Sequence, residues 1–469
     1  VYGLVKDGDC AETLFYGTDY HSHLGTEFGG LAVLGKDFAR LIHNISHSQF
    51  KSKFFEQVRE MKGSMGIGVI SSADEQPIYL KSRLGEFCLV TTGFIENAPE
   101  LAQRMLREGV SFAEAGGKRG INSAELVAKI IAQGETIVHG IQKMFDEIEG
   151  SCSLLLLNRD GVYAARDRWG YNHLAIGAGK EGYAVASEST AFPNTGFKVI
   201  KHLAPGEIVL LSEHGLAEQT PGRTEQQSCS FMWIYTGFPG STYEDINVET
   251  VREKCGRALA RHDKDITADL AAGVPDSGVA HAIGYAMESG VPYRRPLVKY
   301  TPGYGRSYTP PSQERRDFIA TMKLIPVQEI TEGNRVILCE DSIVRGTQLK
   351  NFTVKKLWDA GAKEIHVRPA CPPLMFPCRF NLSTRSKSEL VARRAIRDIE
   401  GKDIEDVSEY LDCNSPKYKK MVDWIAKDIN VTTLRYQKLE DMIEAIGIPR
   451  EKLCTYCWNG ECPKSAAGT

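Results

Sequence analysis

The run VILCEDSIVRGTQ, Val336–Gln348, decides the fold of the C-terminal half. Val336–Cys339 is an unbroken apolar stretch, the pattern of a strand buried on both faces. Glu340 and Asp341 end it. The loop Ser342–Thr347 follows, and apolar residues at helical spacing then predict a helix over Leu349–Ala360. That order suits a phosphorylated sugar. Backbone N–H groups of Ser342, Ile343, Val344, Arg345, Gly346 and Thr347, with the helix N-terminus behind them, can cradle a 5′-phosphate. Gly346 lets the backbone approach closely, and the Ser342 and Thr347 hydroxyls add donors. Glu340 and Asp341 can hold ribose hydroxyls and a Mg²⁺.

Working outward, KEIHVRPAC (Lys363–Cys371) is the next strand. Upstream lie a helix at Val248–His262, the run ITADLAAGVPDSG ending in a turn, a helix at Val279–Ser289 and a short strand near Pro296–Lys299. This alternation predicts a parallel sheet with helices on both faces. The Gly- and Pro-rich stretch Tyr300–Gln313 reads as a mobile loop. The N-terminal half reads differently. Val1–Val5 is a strand. Ser151–Asp167 gives two strands joined by an Asp160-Gly161 hairpin turn, and Tyr183–Ser189 and Gly206–Leu216 continue the pattern. Helices are predicted at Ser123–Gln133 and Ile137–Ile148. Hairpins mixed with helices imply layered sheets flanked by helices. The polar stretch Thr220–Ser228 marks the approach to a boundary. The expected class is α/β: an α+β layered half over residues 1–225, a parallel-sheet half over 226–450, and a cysteine-containing tail over 451–469.

The chain has 469 residues and a net charge of −3, so no global field favours nucleic acid or an anionic membrane. No apolar run approaches the roughly 18–20 residues that span a bilayer, and Val1–Gly3 is no signal peptide. A cytoplasmic protein with neither nucleic-acid nor membrane partner is expected. Its twelve cysteines are then not expected to be disulfides. The tail LCTYCWNGEC contains a C-x-x-C pair, Cys454 and Cys457, which alone is open among zinc, redox and cluster roles.

The string at Val336–Gln348 resembles the phosphoribosyltransferase fingerprint. From first strand to cysteine tail, the chain resembles the glutamine phosphoribosylpyrophosphate amidotransferase family. The resemblance implies an N-terminal-nucleophile hydrolase-like domain joined to a type I phosphoribosyltransferase domain, with phosphoribosyl pyrophosphate and Mg²⁺ bound at the acid pair. Glu340 stands where the family pattern usually has Asp, which keeps the charge but moves the carboxylate one methylene outward. GVPDSG, Gly273–Gly278, matches the family's pyrophosphate-side loop, so Ser277 would help bind Mg²⁺ with Asp276 nearby. GYGRSYTPPSQERR, Gly303–Arg316, resembles the loop that closes over the substrate and carries Arg306. Lys299 ends the strand before it. Some members hold a four-iron four-sulfur cluster on four cysteines, whose settings match Cys229 in SCSFMWIY, Cys378 in FPCRF, Cys454 and Cys457. Cys462 is a spare. Members are commonly homo-oligomers.

The N-terminal half resembles the family's glutaminase domain at LFYGTDYHSHLG (Leu14–Gly25), ARDRWGYNHLAIG (Ala165–Gly177) and VASES (Val185–Ser189). Its chemistry departs. The family's cysteine nucleophile, whose own amine serves as base, would lie two residues before Val1. Ser71 stands where an Arg grips the glutamine carboxylate, Thr92-Gly93 where Asn-Gly forms the oxyanion hole, and Ser123 where an Asp takes the glutamine amine. Losing the clamp and the oxyanion donor together removes several kcal/mol of binding and catalysis. The resemblance therefore implies an amidophosphoribosyltransferase-like enzyme of de novo purine synthesis. It would make phosphoribosylamine and be fed by ammonia, free or from a partner, rather than by glutamine. The alternative expectation is a non-catalytic regulatory homologue that binds phosphoribosyl pyrophosphate.

Overall fold

The run SLLLL at Ser153–Leu157 shows how the N-terminal half is layered. In the strand Gly150–Asn158, successive side chains point to opposite faces. Leu154 and Leu156 pack among the helices Ala98–Arg107, Ser123–Ala132 and Ile137–Glu147. Leu155 and Leu157 face a second sheet and join Val5, Ile67, Val69 and Val185. An apolar run without alternation thus belongs to a strand covered on both sides. We describe residues 1–114, 120–300, 322, 324–381 and 386–461 of the chain in a computed structural model.

Two antiparallel sheets form the middle layers. The first runs Gly215–Thr220, Ile208–Ser212, Gly161–Ala165, Gly150–Asn158, Gly85–Ile95, Ile78–Ser82. The second runs Phe197–His202, Ala175–Gly179, Gly182–Ala186, Tyr2–Lys6, Met65–Ser71, Phe28–Leu34, Phe38–Asn44. Helices Ala11–Asp19 and Phe50–Val58 cover the outer face of the second sheet. The expected Asp160-Gly161 hairpin is present, pairing Asn158 with Gly161.

The C-terminal half is built on a parallel sheet of four strands, in the order Leu270–Gly273, Arg335–Glu340, Glu364–Pro369, Thr433–Leu434. Alternation again divides the acid-bearing strand. Ile337 and Cys339 pack beneath helix Val248–Arg261, whereas Val336 and Leu338 face Val391–Glu400 and Pro416–Asp428. The expected helices on both faces are therefore present. The segment after the phosphate loop opens as a wide π-helical turn, Leu349–Val354, and tightens into an α-helix at Lys355–Asp359. Leu297–Lys299 does not extend the main sheet. It pairs antiparallel with Leu324–Pro326. Among the described residues, no helix is long and apolar enough to cross a membrane.

Candidate functional site

Glu340 and Asp341 emerge at the carboxyl end of the second strand of the parallel sheet, where open α/β sheets bind ligands. The neighbouring strand Leu270–Gly273 delivers the GVPDSG turn to the same edge. The Ser277 hydroxyl donates to Glu340 Oε1 at 2.7 Å, and the Asp341 N–H donates to the same oxygen at 3.0 Å. Two sequence motifs 63 residues apart thus meet in one site. Gly278 is what lets them meet. A Cβ there would lie 2.1 Å from the Cys339 carbonyl oxygen, so only glycine allows the turn to lie against the strand. The Val274 N–H donates to that same carbonyl at 3.0 Å. The Pro275–Asp276 peptide bond is cis. Asp276 is exposed, and Lys299 Nζ reaches its carboxylate at 2.7 Å.

Both acids are buried. Burial and the neighbouring Asp341 carboxylate hold Glu340 well above the usual carboxylate range, and burial also raises Asp341. Among the described residues, a balancing charge for Asp341 comes from Arg252, which the sequence reading did not single out. Its guanidinium sits beneath the site and donates to the carbonyls of Trp233 (2.9 Å), Tyr235 (3.0 Å) and Gly237 (2.8 Å). It favours the charged form of Asp341 without forming an ion pair with it. The only sequence signal for it was an arginine among the buried positions of Val248–Arg261.

The loop after the acids turns its backbone to the open edge. Ile343 is buried and Val344 packs on the core, so these two can offer a ligand only their N–H groups. Gly346 adopts φ +78°, a left-handed turn that aims the backbone into the helix start. The Ser342 hydroxyl donates to Asp341 Oδ1. Thr347 is exposed. Arg345 pairs with Glu389 at 2.9 Å, and Arg394 donates to the Arg345 carbonyl at 2.9 Å. The Val391 N–H donates to the Val344 carbonyl at 2.8 Å. A charged helical segment thereby holds the loop Ser342–Thr347 from behind. Arg306 and the loop around it lie outside the described residues.

The four cysteines singled out in the sequence line one small pocket that is partly open to solvent. Tyr171, Phe231, Phe380, Asn381 and Trp458 complete its lining. A short parallel pairing sets Cys229 beside Cys454. The Cys457 carbonyl accepts N–H groups from Met375 (2.9 Å) and Phe376 (3.1 Å), which brings Cys378 alongside. A hydrogen bond with Cys378, burial and the neighbouring thiols hold Cys457 well above the usual thiol range. Burial pushes Cys229 up to about 12. Among the described residues, no three His, Cys, Asp or Glu side chains converge tightly enough for a single metal ion. The thiols instead surround a space. Cys462 lies outside the described residues.

In the N-terminal half, Ser71 is buried and its hydroxyl accepts the N–H groups of Ala73 (3.3 Å) and Asp74 (3.1 Å). The Ser123 N–H donates to Asp74 Oδ2 at 3.1 Å. Gly93 holds φ +126°, with Thr92 before it in the strand Gly85–Ile95. Cys10 is fully buried, and burial pushes its thiol up to about 12.

A family model described as a glutamine amidotransferase domain matches residues 63–194. The amidophosphoribosyltransferase of Methanothermobacter thermautotrophicus is 30% identical over 473 residues, covering 99% of this chain and 93% of that one. That of Methanocaldococcus jannaschii is 29% identical over 480 residues, covering 97% and 94%. The solved glutamine phosphoribosylpyrophosphate amidotransferase of Bacillus subtilis superposes with a TM-score of 0.84 at 27% identity, covering 98% of this chain and 96% of that one. The likeness runs through both halves and the tail, and the chain belongs to the amidophosphoribosyltransferase family of pentosyltransferases.

Proposed function

We propose that the chain transfers the phosphoribosyl group of phosphoribosyl pyrophosphate to ammonia, giving phosphoribosylamine and pyrophosphate, and that it no longer draws the ammonia from glutamine itself. The observation that carries this is the meeting of Ser277, Glu340 and Asp341 beside the loop Ser342–Thr347. The loop N–H groups and Gly346 would seat the 5′-phosphate. Asp341 and Glu340 would take the ribose hydroxyls, and Lys299 and Asp276 would flank the pyrophosphate. The oxygens of Ser277, Glu340 and Asp341 fit Mg²⁺, which keeps several waters and substrate oxygens in its shell. When bound, it supplies positive charge for the departing pyrophosphate. Two buried carboxylates without a directly bonded cation among the described residues suit such a guest.

The four cysteines around one cavity fit a four-iron four-sulfur cluster, with Cys229, Cys378, Cys454 and Cys457 as ligands. We take residues 1–225, 226–450 and 451–469 as a glutaminase-type domain without its activity, a phosphoribosyltransferase domain and a cysteine tail, assembled as a homo-oligomer in the cytoplasm. The loss of glutamine use rests on Ser71, Thr92 and Ser123. Neither serine can grip a carboxylate or an amine as an ion pair, and Thr92 lacks the side-chain amide of an oxyanion donor.

The test is pyrophosphate release from phosphoribosyl pyrophosphate and Mg²⁺ under argon, with ammonium or glutamine as donor. Release with ammonium and none with glutamine is expected. Tight binding without release in either case would instead establish a regulatory phosphoribosyl pyrophosphate-binding homologue. Glutamine-dependent release would show the N-terminal half active.

A further inference from the structure

The aromatic wall of the cysteine cavity does not come only from the C-terminal half. Tyr171 lies in the turn after strand Gly161–Ala165, is fully buried, and stacks on Phe380 with ring centroids 4.0 Å apart and planes 9° apart. Phe380 in turn meets Tyr456 edge-on at 5.8 Å, between Cys454 and Cys457. The stack therefore joins the N-terminal half, the Cys378 loop and the cysteine tail.

The turn that presents Tyr171 is built around one carboxylate. Asp167 accepts the N–H groups of Trp169 (3.2 Å), Tyr171 (3.0 Å) and Asn172 (2.7 Å). The Ser151 hydroxyl donates to the Phe380 carbonyl, and Asn172 Nδ2 donates to Ser151 Oγ at 2.7 Å. The backbone next to Cys229 is tied to the same turn. The Gln227 N–H donates to the Trp169 carbonyl at 2.7 Å, and Arg166 bonds both the Gly170 carbonyl (2.9 Å) and Ser228 Oγ (3.1 Å). Contacts from the N-terminal half thus reach the backbone beside Cys229 and the loop that carries Cys378.

We propose that the turn Asp167–Asn172 is a clamp on the cysteine cavity, with Tyr171 as its positioning residue. On this view the N-terminal half is retained, after its glutamine chemistry is gone, because it closes the wall around the iron–sulfur group. The proposal rests on the cluster reading above. Tyr171 excludes water from the cavity and fixes Phe380, which sets the direction of the Cys378 thiol two residues before it. Aromatic packing and hydrogen bonding around a metal group control solvent access and ligand orientation.

The test uses the full chain, purified anaerobically and loaded with iron and sulfide. The readout is the anaerobic rate of iron release to a ferrous chelator, followed with the visible absorption of the cluster. Tyr171→Ala is expected to release iron about tenfold faster than the unmodified protein, and Tyr171→Phe at the unmodified rate. Ser151→Ala removes the tie to the Phe380 carbonyl together with the acceptor of Asn172 Nδ2, and it serves in place of Tyr171→Ala should that variant fail to fold. Release is expected to accelerate there too. Wild-type release rates in both Tyr171→Ala and Ser151→Ala, with the unmodified protein holding iron, would overturn the clamp alone. An unmodified protein that takes up no iron would overturn the cluster reading itself.

Discussion

Asp341 and Glu340 occupy a place where two neighbouring carboxylates cannot both ionise easily. Ser277 was legible as their companion through the resemblance of GVPDSG to the family's pyrophosphate-side loop, since Pro-Asp-Ser-Gly by itself reads only as a turn. Arg252 was not, because its partners Trp233, Tyr235 and Gly237 lie in an irregular segment that only the fold brings near. Asp341→Asn keeps the shape and removes the charge. It should lower pyrophosphate release by about a hundredfold, the scale of losing one preorganised electrostatic contact, while the fold stays intact. Unchanged release in the ammonium assay would remove Asp341 from the site. A second residue sets a pH dependence. His281 is buried, with Nδ1 3.0 Å from the Arg252 carbonyl, and burial, reinforced by the Arg252 charge, pushes it down to about 3. The unfolded chain takes up this proton near pH 6.5, but the folded chain does not until about 3. Stability is therefore full above pH 6.5 and falls with acidification through that window, by about 2 kcal/mol at pH 5. His281→Gln should show a shallower loss of unfolding free energy between pH 7 and 5 in urea titrations. Parallel pH profiles for the two proteins would contradict this.

At the scale of elements, the run at Val336–Cys339 read as a buried strand and the leucines at Leu154–Leu157 as part of a hairpin strand, and both proved to be covered on two faces. The helices read at Ser123–Gln133 and Ile137–Ile148 followed from three- and four-residue spacing, and they run over Ser123–Ala132 and Ile137–Glu147. Two-residue pairings could not be read this way. Ser228–Cys229 beside Leu453–Cys454 has no period, because its register comes from segments far apart in the chain meeting in the fold. The ribbon of Leu297–Lys299 with Leu324–Pro326 was missed for a similar reason: three residues are too few to show alternation. The turn at Gly278 gives the sharpest elemental prediction. Gly278→Ala places a Cβ 2.1 Å from the Cys339 carbonyl and 2.7 Å from the Val274 nitrogen, both backbone atoms. The turn must lift from the strand, which separates Ser277 from Glu340. Titration calorimetry with phosphoribosyl pyrophosphate and Mg²⁺ should show affinity lower by about tenfold or more, equivalent to about 1.4 kcal/mol. Unchanged affinity would mean that the turn does not hold the substrate.

Over the whole molecule, buried polar groups join the two halves beside the Tyr171–Phe380 stack. Glu188, 1% exposed, accepts from Tyr243 OH at Oε1 (2.6 Å) and from the Ser241 hydroxyl at Oε2, and His23 Nε2 lies 3.2 Å from the same Oε1. Arg166, fully buried, pairs with Glu244 at 2.7 Å and bonds Ser228. Arg379 and Glu96 also bridge the halves at 2.8 Å, but their side chains are 35% and 38% exposed. These ties differ in weight. An exposed pair is screened and contributes under about 1 kcal/mol, whereas removing one partner of a buried pair leaves an uncompensated charge and costs about 3–5 kcal/mol. Arg166→Leu should therefore strip the N-terminal half from its seat at Ser228 and Glu244, and Arg379→Ala should not. In scanning calorimetry the unmodified chain is expected to unfold in one cooperative transition, Arg379→Ala to follow it closely, and Arg166→Leu to show a separate, lower-temperature transition for the N-terminal half. A single unshifted transition in Arg166→Leu would mean that the halves are coupled elsewhere, and that the turn around Asp167 is not the joint between them.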